Sequence, residues 1–126
     1  MLSNKDIAIV MGIHNSKVVK RFNSKLSYQD NGCINFKSCN WDKDNAYGSF
    51  GISISKNKSV SVKPHRFAWA LAYGFDKLPK GYFGGTKESL TINHKCHNHK
   101  CVNIEHLEVI TMLENSMDGA EYAKTK

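Results

Sequence analysis

The sequence predicts an α+β fold in which a short helical N-terminal segment precedes antiparallel β structure, a packing helix and a C-terminal strand–loop–strand–helix unit. Three observations support this prediction. Residues 3–22 carry apolar side chains at helical spacing. Residues 27–63 alternate clusters of Gly, Asn and Asp with short apolar runs, which is typical of turn-rich β structure. Residues 90–122 contain two apolar runs around a loop rich in Cys and His, followed by a helix start.

The length of 126 residues fits a single domain with a modest core. We predict that residues 1–26 form the helical segment and residues 27–126 the principal domain. The sequence has no long apolar run and no signal-peptide pattern at its N-terminus, so we expect a cytoplasmic protein that is neither secreted nor held in a membrane. A net charge of +7 favours a polyanionic partner through counterion release.

The N-terminal segment predicts two short helices around a turn. Ser3 or Asn4 can cap the first helix, Gly12 is expected to end it, and Asn15 or Ser16 can cap the second. The arrangement resembles a helix-turn-helix motif, but a plain helical hairpin explains the same pattern equally well.

The middle of the chain predicts a hairpin and then a helix. A strand over residues 47–54 pairs with residues 59–63 across a polar turn at residues 56–58. Pro64 suits the first turn of the following helix, and Gly74 suits its end. The helix has an apolar face, so we expect it to pack against the strands.

The loop of the C-terminal unit has the composition of a metal site. Two of the four cysteines and four of the six histidines lie within residues 94–106. Four residues separate Cys96 from Cys101, and four more separate Cys101 from His106. Thiolate and imidazole are the donors that tetrahedral zinc selects, and a structural site needs four of them. The fourth ligand is left open between Cys33 and Cys39.

The elements around this loop follow from local signals. Strands are predicted over residues 90–94 and 106–110. Thr111 and Glu114 then form the capping-box pattern of a helix over residues 112–122. Asn115 therefore lies in the first turn of that helix.

Together these features resemble the ββα-metal, or His-Me finger, nucleases of the HNH superfamily. Within it the chain is similar to phage-type HNH proteins and to the zinc-bound His-Cys box homing endonucleases. The resemblance covers about residues 20–120 and depends on residues 31–34, 46–48, 65–69, 94–96, 101–103, 106–107 and 114–115.

The resemblance implies a role for each matching residue. His94 corresponds to the general base, and Asn115 to a ligand of the catalytic divalent ion, expected to be Mg²⁺. Arg66 corresponds to the arginine that contacts the scissile phosphate, and Asn103 to the asparagine that braces the catalytic loop. Structural zinc is expected on the remaining matching residues, which are Cys33, Cys96, Cys101 and His106.

Some residues keep alternative interpretations. Arg66 could pair with Glu105 or Glu108 instead of a phosphate. Asn93 could be a second oxygen ligand of the catalytic ion, although a structural role is favoured because an amide binds such ions weakly. His65 could orient a group near the site, although a structural role is more common for such a residue.

The implied function is Mg²⁺-dependent DNA endonuclease activity, with 5′-phosphate and 3′-hydroxyl products, in a phage or mobile-element, homing or restriction setting. The expected partner is double-stranded DNA, contacted by Arg66 and either by Lys56, Lys58 and Lys63 on a β-ribbon or by Lys17 on the second N-terminal helix. A homodimer would cut both strands and a monomer would nick one. The alternative function is a zinc-stabilised DNA-binding module without catalysis.

Overall fold

A computed structural model describes residues 4–37, 49–79, 90–98, 100–111 and 113–118. Over these residues, two helices precede two antiparallel hairpins, and a third helix separates these from a third hairpin and a final helix. The elements are α1 (Asn4–Ile13), α2 (Ser16–Asn23), β1 (Leu26–Tyr28), β2 (Ile34–Phe36), β3 (Phe50–Ser55), β4 (Lys58–Val62), α3 (Pro64–Tyr73), β5 (Leu90–His94), β6 (Leu107–Thr111) and a C-terminal helix at residues 113–118.

The predicted antiparallel β structure is confirmed, and in the described part of the chain it is divided into three two-stranded sheets. These sheets pair β1 with β2, β3 with β4, and β5 with β6. None of the described helices is both long enough and apolar enough to cross a bilayer.

The two N-terminal helices form as predicted, with one correction at Gly12. The Asn15 side chain caps α2 by accepting hydrogen bonds from the backbone N–H groups of Lys17 and Val18. Gly12 does not end α1, because the helix continues to Ile13. The glycine instead allows close packing against α3, since a Cβ at this position would lie 2.7 Å from the Phe67 ring.

The centre of the core is a cluster of four phenylalanines. Phe22 comes from α2, Phe36 from β2, Phe50 from β3 and Phe67 from α3, and each is at most 2% exposed. Their ring centroids lie 4.8–5.6 Å apart in the contacting pairs, which is the range favoured by aromatic pairs. Side chains on both sides of the predicted boundary after residue 26 therefore share one core.

The β3–β4 hairpin has one buried and one exposed face. Phe50, Ile52 and Val62 point into the core, and Ile54 and Val60 on the same face are half-buried, whereas the alternate positions are exposed. The strand begins at Phe50, and the predicted start at residues 47–48 lies outside the described residues. Arg21 from α2 lies 4.4 Å above the Phe50 ring and fixes the hairpin to the N-terminal helices.

Helix α3 begins at Pro64 and ends before Gly74, as predicted. Gly74 has a φ of +99°, a conformation that L side chains rarely adopt. A 3₁₀ turn at Phe75–Lys77 follows α3.

The C-terminal hairpin pairs β5 and β6 in register from Leu90–Thr111 to His94–Leu107. Strand β6 begins one residue later than predicted, because His106 belongs to a 3₁₀ turn at Ile104–His106. The capping box at Thr111 is confirmed. The predicted extension of the C-terminal helix to residue 122 lies outside the described residues.

Candidate functional site

Four metal-binding side chains converge beside the C-terminal hairpin. One donor atom each from Cys33, Cys96, Cys101 and His106 lies within 4.8 Å of the others. The Nδ1 atom of His106 is 3.5 Å from the Cys33 Sγ and 3.6 Å from the Cys101 Sγ. The predicted alternative ligand, Cys39, lies outside the described residues.

Two separations within this donor set match those around a tetrahedral zinc ion. Zn–S and Zn–N bond lengths of about 2.3 and 2.05 Å at a tetrahedral angle separate S and N by about 3.6 Å. The measured Sγ–Nδ1 separations of 3.5 and 3.6 Å agree with this value. Four protein donors leave no open position for substrate, which is the arrangement of a structural site.

Two thiols of the cluster, those of Cys96 and Cys101, favour their protonated form when no metal is bound. Burial raises the pKa of Cys101 to about 12, and burial also raises the pKa of Cys96. A metal ion must therefore displace protons from these thiols as it binds.

Backbone hydrogen bonds bring the distant ligand Cys33 to the other three. Strand β2 follows Cys33 directly, and the Phe36 N–H donates to the Lys100 carbonyl at 2.8 Å. The Val102 N–H in turn donates to the Ile34 carbonyl at 2.7 Å. These bonds extend β2 along the loop between β5 and β6, the metal loop, with Asn35 opposite Cys101. Cys33, two residues before Asn35, is thereby brought close to the other three donors.

Gly32 allows the turn before Cys33 to pass close to His106. Its φ is +91°, and a Cβ there would lie 3.4 Å from two atoms of the His106 ring. A larger residue would strain the backbone at this turn, and its Cβ would touch the His106 ring.

Asn103 connects this turn to the metal loop. Its Nδ2 donates to the Gly32 carbonyl at 2.7 Å, and its Oδ1 accepts from the Glu105 N–H at 3.0 Å. Asn103 therefore spans two segments that are far apart in sequence and each carry metal ligands. Its two hydrogen bonds hold the turn before Cys33 against the turn that carries His106.

His94 is the last residue of β5 and is 3% exposed. Its Nε2 lies 3.1 Å from the carbonyl oxygen of Cys101. A carbonyl can only accept, so Nε2 must be the protonated nitrogen and Nδ1 carries the lone pair of the neutral ring. The residue that fixes this tautomer is thus itself a member of the metal cluster.

The first turn of α3 lies against His94. The His65 ring centroid is 4.7 Å from that of His94, with the ring planes tilted by 58°. Arg66 follows His65 and is half-buried, and its backbone N–H donates to the Lys63 carbonyl at 3.1 Å. The N-terminus of a helix also favours anions through its dipole and its unpaired N–H groups. The structure thus places the helix turn that carries Arg66 against the predicted base, with the contact made by His65.

The C-terminal helix carries Asn115 and begins at a reciprocal cap. The Glu114 N–H donates to the Thr111 Oγ1 at 3.1 Å, and the Glu114 carboxylate accepts from the Thr111 N–H at 3.1 Å and from its hydroxyl at 2.9 Å. These hydrogen bonds lower the pKa of the Glu114 carboxyl group. Asn115 follows directly and is half-buried.

Asn93 links this helix to the hairpin. Its Nδ2 donates to the Glu108 Oε2 at 2.9 Å across the strand pair, and to the Asp118 Oδ2 at 3.3 Å. Asp118 lies three residues after Asn115, so the two side chains are on the same side of the helix. The contact from Asn93 to Asp118 therefore places Asn115 on the helix side that faces β5.

The predicted DNA-contacting lysines lie on separate elements. Lys17 is exposed in the first turn of α2, Lys56 and Lys58 are exposed at the tip of the β3–β4 hairpin, and Lys63 precedes α3. Lys17, Lys56 and Lys58 therefore lie on elements other than β5 and α3, which position His94.

Sequence reasoning missed Asp118 and the contact between Asn93 and Glu108. The signals were present but weak: Asp118 follows Asn115 by three residues, and Asn93 and Glu108 lie on the two strands predicted to pair. Without the strand register, Glu108 was only a possible partner for Arg66.

The HNH endonuclease family model matches residues 62–117, which include α3, the metal loop and the start of the C-terminal helix. The match supports an HNH family assignment, and thus a class of nucleases and DNA-binding proteins. No curated protein and no solved structure matches the chain.

Proposed function

We propose that this protein is a DNA endonuclease that uses a divalent cation to hydrolyse phosphodiester bonds, leaving a 5′-phosphate and a 3′-hydroxyl. The observation that carries the proposal is the setting of His94. Its tautomer is fixed by the Cys101 carbonyl, and it lies at the end of β5 against the first turn of α3. It also falls within the segment that matches the HNH endonuclease family.

In this proposal His94 is the general base. Its Nδ1 accepts a proton from the attacking water, and the hydrogen bond from Nε2 to the Cys101 carbonyl stabilises the ring as it becomes positively charged. Imidazole suits this task because its ordinary pKa lies near neutral pH.

Asn115 is proposed to hold the catalytic cation, for which Mg²⁺ is the expected choice because amide oxygen is a hard donor. When bound, this ion stabilises the negative charge that develops on the leaving 3′ oxygen. Consecutive residues of a strand point to opposite faces, and Asn93 faces the C-terminal helix whereas His94 contacts α3. His94 and the C-terminal helix that carries Asn115 therefore lie on opposite faces of β5. In this proposal the phosphate binds across the end of β5, where it can contact both His94 and a cation held by Asn115.

Arg66 is proposed to bind an oxygen of the scissile phosphate. A guanidinium group offers a fixed fork of donors to a phosphate, and the start of α3 adds the favourable end of the helix dipole. Contact between His65 and His94 keeps this turn next to the base.

The Cys₃His cluster is proposed to bind structural zinc. Cys101 serves two purposes in this arrangement, because its thiol belongs to the cluster while its carbonyl orients His94. Zinc then affects catalysis only indirectly, because it fixes the backbone of Cys101, whose carbonyl orients His94.

DNA is proposed to lie along the β3–β4 hairpin. Apart from its lysines, the exposed positions of this hairpin are mostly glycine or serine, and Lys56 and Lys58 stand at its tip. A two-stranded ribbon fits the major groove of B-DNA, and lysines at its tip can neutralise phosphates. A two-fold dimer would bring a second active site to the opposite strand.

Incubation with supercoiled plasmid, with and without added Mg²⁺, tests the proposed activity. We expect Mg²⁺-dependent conversion to nicked circles by a monomer, or to linear DNA by a dimer, with product ends that DNA ligase can reseal. Retarded but uncut plasmid at every divalent cation concentration would reject the endonuclease and favour the non-catalytic DNA-binding module.

A further inference from the structure

Two neighbours of different kinds hold the ring of His94. Its Nε2 donates a hydrogen bond to the Cys101 carbonyl at 3.1 Å. The ring also contacts that of His65, whose centroid lies 4.7 Å away with the planes tilted by 58°. His65 is 6% exposed and His94 is 3% exposed, so both rings are enclosed by protein. The proposed base therefore has one hydrogen-bonding neighbour and one packing neighbour.

The hydrogen bond alone leaves the His94 ring free to twist. The torsion of a histidine ring about its Cβ–Cγ bond is broad and is not confined to narrow staggered wells. A hydrogen bond at one ring nitrogen tolerates departures of roughly 30° from a straight line. Such a twist moves Nδ1, which is the nitrogen proposed to accept the proton from water. Contact with a second ring is therefore needed to narrow the range of positions that Nδ1 can occupy.

His65 is itself held firmly by its neighbours in α3. Pro64 precedes it, and the fixed φ of proline suits the start of a helix. The N–H groups of Arg66 and Phe67 donate to the Lys63 carbonyl at 3.1 and 3.2 Å and close the first turn. Phe67 is 0% exposed and belongs to the cluster of four phenylalanines. His65 therefore presents a rigid surface to the base.

We propose that His65 is a positioning residue, which holds the His94 ring at the angle that directs Nδ1 toward the attacking water. This inference rests on the proposed endonuclease function. His65 contacts neither the water nor the phosphate in this arrangement and acts only through His94. A reacting group displaced by about 1 Å can slow an enzyme by about 100-fold, so a packing contact of this kind affects the rate strongly.

His65 could instead contribute only to the packing of α3 against the C-terminal hairpin. The two roles differ in a measurable way. Loss of packing alone lowers the fraction of folded protein, but each folded molecule still cuts at the normal rate. Loss of positioning slows cleavage by protein that is fully folded, and it also gives the His94 ring more freedom to move.

The test compares two substitutions of His65 with a control for core packing. His65→Ala removes the ring that contacts His94. His65→Phe keeps a planar ring at the same position and is the rescue variant. Ile9→Val shortens a side chain of α1 that is 1% exposed, so it disturbs the core without removing the contact between the two histidine rings.

Two quantities are measured on folded, zinc-loaded, full-length protein. The first is the single-turnover rate of plasmid cleavage with protein in excess, together with DNA affinity from gel retardation. The second is the NMR order parameter of the His94 Cδ2–Hδ2 bond, which reports motion of the ring.

We expect His65→Ala to cut DNA about tenfold to 100-fold more slowly than the wild type at unchanged DNA affinity. Its His94 order parameter should fall to about 0.6 or lower, which is the range of flexible groups. His65→Phe should recover most of both losses, and Ile9→Val should match the wild type in both. If His65→Ala does not fold, His65→Asn takes its place with the same expectations, because its side chain is shorter than the ring.

Equal single-turnover rates for His65→Ala and Ile9→Val would overturn the inference, and the endonuclease function would stand because both cut DNA. Slow cleavage by His65→Ala with a His94 ring as ordered as in the wild type would also overturn it. If the wild type cuts no DNA under any condition, the proposed function fails. The order parameters still decide in that case whether His65 restrains the His94 ring.

Discussion

At the scale of single residues, close contacts explain why particular side chains stand where they do. Cys101 contributes a thiol to the metal cluster, and its carbonyl oxygen accepts a hydrogen bond from His94. Asn103 similarly joins the turn at Gly32 to the backbone at Glu105. Each of these residues therefore links the position of a candidate metal ligand to a second segment of the candidate site.

Gly12 gives a prediction at this scale. Gly12→Ala should lower the free energy of unfolding by about 1–3 kcal/mol, because overpacking a filled core has this cost. The added Cβ would lie 2.7 Å from the Phe67 ring. Urea unfolding measures the effect, and Gly51→Ala is the control, since a Cβ there meets nothing within 4 Å. Equal stability of the two variants would show that α1 and α3 are not so closely packed.

At the scale of secondary-structure elements, the site depends on how the C-terminal hairpin is connected to its neighbours. Strand β2 is hydrogen-bonded to the metal loop through Phe36 and Val102. The first turn of α3 contacts His94 through His65. The C-terminal helix contacts β5 through Asn93 and Asp118. Three elements therefore meet around one hairpin.

The capping box gives a prediction for the C-terminal helix. Thr111→Ala removes the side chain that accepts a hydrogen bond from the Glu114 N–H, so that amide should exchange with solvent faster. Loss of such a cap costs about 1 kcal/mol of helix stability. Hydrogen exchange followed by NMR measures the change. Thr111→Ser keeps the hydroxyl and should retain protection, so equal exchange in both variants would argue against the cap.

The elements that local signals define were predictable from the sequence, whereas their mutual contacts were not. Asn15, Pro64, Gly74 and the capping box act within a few residues of their own position, and each was predicted correctly. The prediction that Gly12 ends α1 was wrong, because this glycine allows contact with Phe67 of α3, which is more than 50 residues away in the sequence. The link from Asn93 to Asp118 was missed for the same reason, since it depends on how the helix lies across the strands.

At the scale of the whole molecule, the metal cluster joins two segments that are far apart in the sequence. Cys33 comes from the turn before β2, and the other three ligands come from residues 96–106. For a chain of this size, a metal that joins distant segments supplements a modest hydrophobic core. We therefore expect the metal to stabilise the entire fold.

Zinc content tests which cysteine completes the cluster. Purified wild-type protein should contain one zinc ion per chain, and Cys33→Ser should lose it, because the described donor set includes Cys33. Cys39→Ser is the matched variant and should keep its zinc. Mass spectrometry under native conditions measures both. Zinc loss by Cys39→Ser with retention by Cys33→Ser would reverse the assignment.

The most direct test of the whole account compares His94→Ala with His14→Ala, a control at an exposed position between α1 and α2. DNA cleavage, DNA affinity and zinc content are measured on the same preparations. We predict that His94→Ala retains its zinc and its affinity for DNA while the cleavage rate falls by about 10²–10⁴-fold, the contribution of a general base. His14→Ala should cleave like the wild type. Undiminished cleavage by a zinc-loaded His94→Ala variant would contradict the account.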